Sequence, residues 1–239
     1  LVICIRDQKN LNPQRLAEFS KLFGKPKKYF VTDETFDGVP EVIIVSNRSK
    51  TSNKPKVYAS HWHTDDSYIK KPATLTFIYP DTLPSNGGGG TDFINCYKVF
   101  EELPKNIKNK IINLQAVHKW SSRRNVSEVA QLSKDQQKLT PDVKHPFIRT
   151  HPISKKQSLY INPNRIDHIV GYSEEESDKI LDELYKFSFQ SKFQYSHDYK
   201  KGDLVIWDNR CTMHRANSDY DISKLRVMHR VMLEGERVF

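Results

Sequence analysis

Apolar residues recur along this chain with two different periods, and the period of two dominates at both ends. The opening run from Leu1 to Ile5 reads as a strand already under way, with neither an initiator Met nor a basic leader, so the polypeptide is expected to begin upstream of Leu1. Leu16, Phe19, Leu22 and Phe23 fall on one face of a predicted helix over Pro13 to Phe23, with Gly24 as its stop signal. Strands are predicted at Glu41 to Ser46, Lys56 to Thr64 and Ala73 to Tyr79, the last closed by Pro80. Gly87 to Gly90 would lose too much backbone entropy in a regular element, so Pro84 to Gly90 is predicted as a loop leading into Thr91-Asp92-Phe93-Ile94.

Helical spacing takes over in the middle of the chain. It covers Tyr97 to Leu114, interrupted at Pro104, and more weakly Ser127 to Leu139. The best-marked helix opens on the capping box of Ser173 and Glu176 and carries Ile180, Leu181, Leu184 and Phe187 on one face. Strands are again predicted at Phe147 to His151, Ser158 to Ile161, Phe193 to His197, Asp203 to Trp207 and Leu225 to Glu234. Strands flanking a helical middle suggest a mostly β fold, a sandwich or jelly roll with helical insertions, because a parallel α/β sheet would alternate the two regularly.

Composition narrows the class. A chain of 239 residues with 37% hydrophobic and 11% aromatic content is expected to form one globular domain over residues 1–239. No run approaches the roughly 18 uninterrupted apolar residues of a membrane span, so no membrane partner is expected. Cys4, Cys96 and Cys211 are odd in number and far apart, which fits a reduced, cytoplasmic setting better than a disulfide framework. The net charge of +9 is spread along the chain without a recognition-helix motif. It is read as a lysine-rich solvated surface, or as a field that draws in a small anion, and no nucleic-acid partner is expected. Assembly into a homo-oligomer is left open.

The most informative segment is Ser60-His61-Trp62-His63-Thr64-Asp65-Asp66. On a strand, residues two apart share a side, so His63 and Asp65 could converge on one ion, with His61 on the same side. Such a pair alone is weak evidence, since most are surface polar residues. A third donor, His214, follows the run from Lys201 to Arg210. Two imidazoles and one carboxylate make the facial triad that suits iron(II) and leaves three coordination positions open. In the last strand Arg226 and Arg230 share a face, and two guanidinium groups on a half-apolar strand must meet anions, acidic partners or solvent.

Taken together, His63-x-Asp65, Gly87 to Phe93, the run from Gly202 to Arg210 with His214-Arg215-Ala216, and Arg226-x-Met228-His229-Arg230 resemble the taurine dioxygenase and 2,4-dichlorophenoxyacetate dioxygenase (TauD/TfdA) family. The resemblance implies a double-stranded β-helix, or cupin-like jelly roll. It implies iron(II) held by His63, Asp65 and His214, with 2-oxoglutarate and dioxygen as co-substrates. Thr91 and Arg226 match the family's contacts to the 2-oxoglutarate carboxylate, and Arg230 matches an arginine that holds the substrate anion in sulfonate-using members.

On this reading a small, anionic organic substrate is hydroxylated with release of succinate and carbon dioxide, and His61 is a candidate substrate contact. The carboxylate of Asp65 favours hydroxylation over halogenation, with oxidative cleavage beside a heteroatom as a variant. Ala59 stands where the taurine enzyme has a substrate-contacting Asn, so taurine itself is not the expected substrate. Two alternatives remain: a non-catalytic jelly-roll protein that binds an anion, and an oxygenase acting on a macromolecule.

Overall fold

The computed structural model describes residues 1–29, 34–48, 54–126 and 129–239. The strands are β1 (Val2–Ile5), β2 (Thr35–Phe36), β3 (Val39–Ser46), β4 (Leu75–Thr82), β5 (Thr91–Asn95), β6 (Gln115–His118) and β7 (Val143–Pro146), followed by β8 (Ile148–Thr150), β9 (Gln157–Leu159), β10 (Ile166–Ile169), β11 (Gln194–His197), β12 (Leu204–Asp208), β13 (Thr212–Ala216) and β14 (Val227–Met232). The helices are α1 (Pro13–Ser20), α2 (Cys96–Glu102), α3 (Lys105–Ile111), α4 (Lys134–Leu139) and α5 (Glu174–Ser188).

Two antiparallel sheets face each other as a jelly roll. The larger has the order β1-β12-β4-β14-β3-β2 and the smaller β11-β5-β13, while β10-β6-β7 and β8-β9 form satellites. The chain changes sheet between β4 and β5, between β11 and β12, and between β12 and β13, so residues far apart in sequence meet across the sandwich.

Side-chain alternation sorts the strands into three apolar layers. Leu204, Ile206, Phe77, Tyr79 and Val231 point outward from the large sheet onto Leu16 and Ala17 of α1. Val205, Trp207, Ile78 and Met228 point inward and meet Phe93 of the small sheet. On the far side of the small sheet, Ile94 and Met213 pack with residues of α2, α3 and α5. The period of two thus places Arg226 and Arg230 on the inward face with Met228, as their spacing predicted.

Local chemistry accounts for the helix ends. Asn12 accepts from the Arg15 amide and Pro13 opens α1. Ser173 and Glu176 make the expected capping box on α5. Pro104 divides the predicted helix over Tyr97 to Leu114 into α2 and α3.

Several expectations need correction. No strand runs from Lys56 to Thr64: Ala59 takes a left-handed backbone (φ 58), which breaks an extended run, and His63 alone bridges to His214. Pro80 does not close β4, which continues to Thr82, because it sits at a register shift against Val227 and Met228 where the missing amide is tolerated. Of the helix predicted over Ser127 to Leu139, residues 127 and 128 lie outside the described residues, and a helix forms only over Lys134–Leu139. The run from Phe147 to His151 narrows to β8, and β2, β5, β6, β7, β10 and β13 were not anticipated as strands.

Leu16 is fully buried between α1 and the outer face of the large sheet. Leu16→Ala should therefore lower unfolding stability by about 2–5 kcal/mol. Urea titration would read this as a lower midpoint with an unchanged slope, without a change in the chemistry between the sheets.

Candidate active site

His63 and His214 are joined through their main chains. The His63 amide donates to the His214 carbonyl at 3.0 Å and the His214 amide donates back at 2.8 Å. Such a doubly bonded antiparallel pair puts both side chains on one face, and the imidazole centroids lie 4.2 Å apart. Asp65 follows two residues later in a tight turn. Its Oδ1 is 3.8 Å from Nε2 of His63 and 3.8 Å from Nε2 of His214. The three donor atoms lie within 4.8 Å of one another, too far apart to bond among themselves and close enough to share a cation.

Each donor is oriented by a partner behind it. His63 Nδ1 donates to the His61 carbonyl at 2.8 Å, leaving Nε2 with its lone pair free. Asp65 Oδ2 accepts from the Thr76 hydroxyl at 2.7 Å. Thr76 accepts from the Asn209 amide, whose own oxygen accepts from the Trp207 indole. Asp65 Oδ1 is thereby turned toward the two imidazoles. The ring of His214 lies against Trp207, with centroids 4.6 Å apart.

Electrostatics set the protonation states. Burial would raise the Asp65 carboxyl, but its interactions with the His214 imidazole, the Arg230 guanidinium and the His63 imidazole, together with the Thr76 bond, hold it down to about 2. Burial lowers the pKa of His63, and it lowers that of His214 to about 3, with His63 and Arg230 adding to the effect. One carboxylate and two neutral imidazoles are the states in which a divalent cation is bound without displacing protons.

The turn carrying Asp65 is clamped by buried polar groups. Asn162 donates to the Thr64 carbonyl and to the Ser67 hydroxyl, each at 2.8 Å. His145 Nε2 donates to the carbonyls of Ser67 and Ile69, and His118 Nδ1 is 3.0 Å from the Ser67 hydroxyl. Thr64 reaches across to the Asn209 carbonyl.

A second group of buried polar side chains lies at the glycine loop. Arg226 is buried, with Nε donating to the Gly89 carbonyl at 2.8 Å and its amide donating to Asn47 Oδ1. No carboxylate among the described residues pairs with it, and burial lowers its pKa. Thr91, on β5, has its hydroxyl 2.9 Å from that of Tyr199, and the Arg226 guanidinium carbon is 5.9 Å from the Tyr199 ring. Gly89 has a positive φ (71), and a Cβ there would sit 3.0 Å from Cδ and Nε of Arg226, so glycine permits this approach.

The residues expected at the site fall into three groups. His63, Asp65 and His214 converge, with Arg230 Nη1 3.8 Å from Asp65 Oδ1. Thr91 and Arg226 meet at Tyr199. His61 is exposed and lines a cleft of about 290 Å³ with Trp62, Arg124, Tyr185, Phe189 and Arg215.

Thr76 and Tyr199 were not singled out from sequence, and Asn209 was quoted only within its motif. The period of two in β4 puts Thr76 on the inward face opposite Phe77, a usable signal, whereas nothing local marks Tyr199.

Fold and donors together define a jelly-roll protein with a two-histidine, one-carboxylate centre. The family model described as "Taurine catabolism dioxygenase TauD, TfdA family" matches residues 1–232, and the chain belongs to that family. An alpha-ketoglutarate-dependent 2,4-dichlorophenoxyacetate dioxygenase of Burkholderia sp. (strain RASC) is 34% identical over 176 residues, 74% of this chain and 58% of that protein. The chain therefore spans less than two thirds of that relative. An alpha-ketoglutarate-dependent sulfate ester dioxygenase of Pseudomonas putida is 28% identical over 242 residues, 98% of this chain and 77% of the relative. A crystal structure of AAD-2 in complex with Mn(II) and N-oxalylglycine superposes with a TM-score of 0.81 at 26% identity, covering 99% of this chain and 83% of its own.

Buried histidines predict an acid-labile site. Burial lowers His145 to about 4, so the folded protein stays unprotonated there while an unfolded histidine protonates below about 6.5. The stabilisation is complete above pH 6.5 and is lost as pH falls toward 4, by about 3 kcal/mol from this residue. Urea unfolding across that window should show a shallower pH slope in His145→Gln than in the parent protein.

Proposed function

We propose that residues 1–239 act as one catalytic unit of an iron(II)- and 2-oxoglutarate-dependent dioxygenase that hydroxylates, or oxidatively cleaves, a small anionic organic molecule in the cytoplasm. The observation that carries this reading is the convergence of His63 Nε2, Asp65 Oδ1 and His214 Nε2 in metal-ready protonation states, together with a buried Arg226 on the same inward face as Arg230 that has no carboxylate partner among the described residues. No described helix is long and apolar enough to cross a membrane.

The residues fit the implied groups. The donor set is that of the facial triad, and among the described residues the cluster comprises these three side chains. Bound there, iron(II) would supply the redox chemistry that couples decarboxylation of 2-oxoglutarate, giving succinate and carbon dioxide, to oxidation of a substrate C–H bond. Arg226 would pair with the far carboxylate of 2-oxoglutarate, with the Thr91 and Tyr199 hydroxyls completing its hydrogen bonds. Phe93, Trp207 and Met228 form an apolar wall that excludes water from the reacting centre. Arg230 supports the anionic substrate, because Asp65 is the only carboxylate among the described residues within ion-pair distance and its oxygens are turned to the histidines and Thr76. His61 contributes through its carbonyl, which fixes the His63 tautomer. The named substrates of relatives, 2,4-dichlorophenoxyacetate and sulfate esters, are likewise anions.

The decisive assay supplies iron(II), ascorbate and 2-oxoglutarate and measures oxygen uptake with succinate formation. A metal-loaded protein that never forms succinate, with any small anion supplied, would defeat the enzyme reading and favour an anion-binding protein. Thr76→Val frees Asp65 Oδ2 and should weaken iron affinity roughly 10–100-fold, read by metal titration. Gly89→Ala should displace Arg226 and raise the KM for 2-oxoglutarate roughly ten-fold or more, with a smaller change in kcat.

A further inference from the structure

Arg165 sits in the turn between β9 and β10 and was not anticipated from sequence. Its amide donates to the Asn162 carbonyl, and Asn162 is the residue that clamps the Asp65 turn. The guanidinium carbon lies 4.6 Å from the Trp120 ring centroid and 5.1 Å from that of Tyr68, so two aromatic faces hold it. Nη1 donates to the Trp120 carbonyl, and the other N–H groups of the side chain have no hydrogen-bond or carboxylate partner among the described residues.

Tyr68 also links Arg165 to Arg230 through Tyr29. The Tyr68 hydroxyl is 3.4 Å from the Tyr29 hydroxyl, and the Arg230 guanidinium carbon is 6.0 Å from the Tyr29 ring. Both phenols are neutral at pH 7, since burial raises Tyr29 to about 12 and raises Tyr68 well above its ordinary value. Neither offers a negative charge. Lys27 pairs with Asp66 in the same region, which removes that carboxylate from the balance.

On the oxygenase reading, on which this inference rests, the charges of the metal and the co-substrate cancel, as do those of Asp65 and Arg226. Arg165 and Arg230 are then unmatched. Two half-buried guanidinium groups joined by the Tyr29–Tyr68 contact, whose nearby carboxylates Asp65 and Asp66 are already engaged by the histidine centre and by Lys27, are costly unless a ligand supplies further negative charge. We propose that Arg165 forms an anion subsite separate from Arg230, and that the primary substrate is an organic dianion with two separate acidic groups, one received by each guanidinium. The stretch between those groups lies along the Tyr29 and Tyr68 rings.

The test uses calorimetry on the manganese-loaded protein in two titrations. N-oxalylglycine is added first, and its binding or failure to bind decides the oxygenase reading alone. Into the same protein, whatever the first result, adipate and 4-carboxyphenylacetate are then compared with hexanoate and phenylacetate. Each dianion should bind more tightly than its matched monoanion. Arg165→Met should weaken the dianions roughly 10–100-fold while moving the monoanions by about three-fold or less, and Arg165→Lys should keep most of the discrimination. Equal weakening of both classes, or no effect of Arg165→Met, would overturn the subsite, as would monoanions binding as well as dianions to the parent protein.

Discussion

The architecture depends on a pair of main-chain hydrogen bonds between His63 and His214. His214 belongs to the small sheet through β13, whereas His63 lies on an irregular segment outside both sheets, and only this reciprocal pairing brings the two imidazoles side by side. Everything else at the centre refines that pairing. The turn after His63 delivers the Asp65 carboxylate, and the Asn162, His145 and His118 contacts keep the turn from relaxing. A slip of one residue in either partner would send one ring to the opposite face.

Burial then decides what these groups can do. Imidazoles withdrawn from water resist protonation, and the arginine beside Asp65 keeps its carboxyl ionised, so the centre carries the charge pattern a cation requires before any cation arrives. A comparable logic holds at the glycine loop. Arg226 is desolvated with no carboxylate pairing with it among the described residues, its ring neighbour Tyr199 is neutral because burial raises it to about 12, and the group is fixed by carbonyl and amide contacts. Burying a guanidinium group in this way is costly for the isolated protein.

The jelly roll explains how one sheet face presents an arginine to each of the two polar clusters. Inward positions on β14 alternate with outward ones, so Arg226 and Arg230 stand on either side of Met228, one near the glycine loop and the other near Asp65. Outward positions of the same strand anchor it against α1 through Val231. The strand that presents the charged groups is therefore held by apolar packing behind it, which keeps the guanidinium groups in place without ordering them through surface contacts.

Short-range pattern determined a good part of this from the residues alone. The capping box at Ser173, the break at Pro104, the loop at the tetraglycine run, and the shared face of Arg226 and Arg230 all follow from forces that act within a few residues, and each is present. The family was legible because the run leading to His214 and the arginines beyond it is specific, and His63, Asp65 and His214 do converge, even though the strand assumed for His63 and Asp65 does not form. What only the tertiary structure decided are relations between distant segments: the bridge that aligns His63 with His214, the Thr76 and Asn209 support behind Asp65, the meeting of Thr91 with Tyr199, and the seating of Arg165 between Trp120 and Tyr68. Local sequence reports propensity and period, whereas whether a buried charge finds a partner depends on which other segments the folded chain brings within a few ångströms.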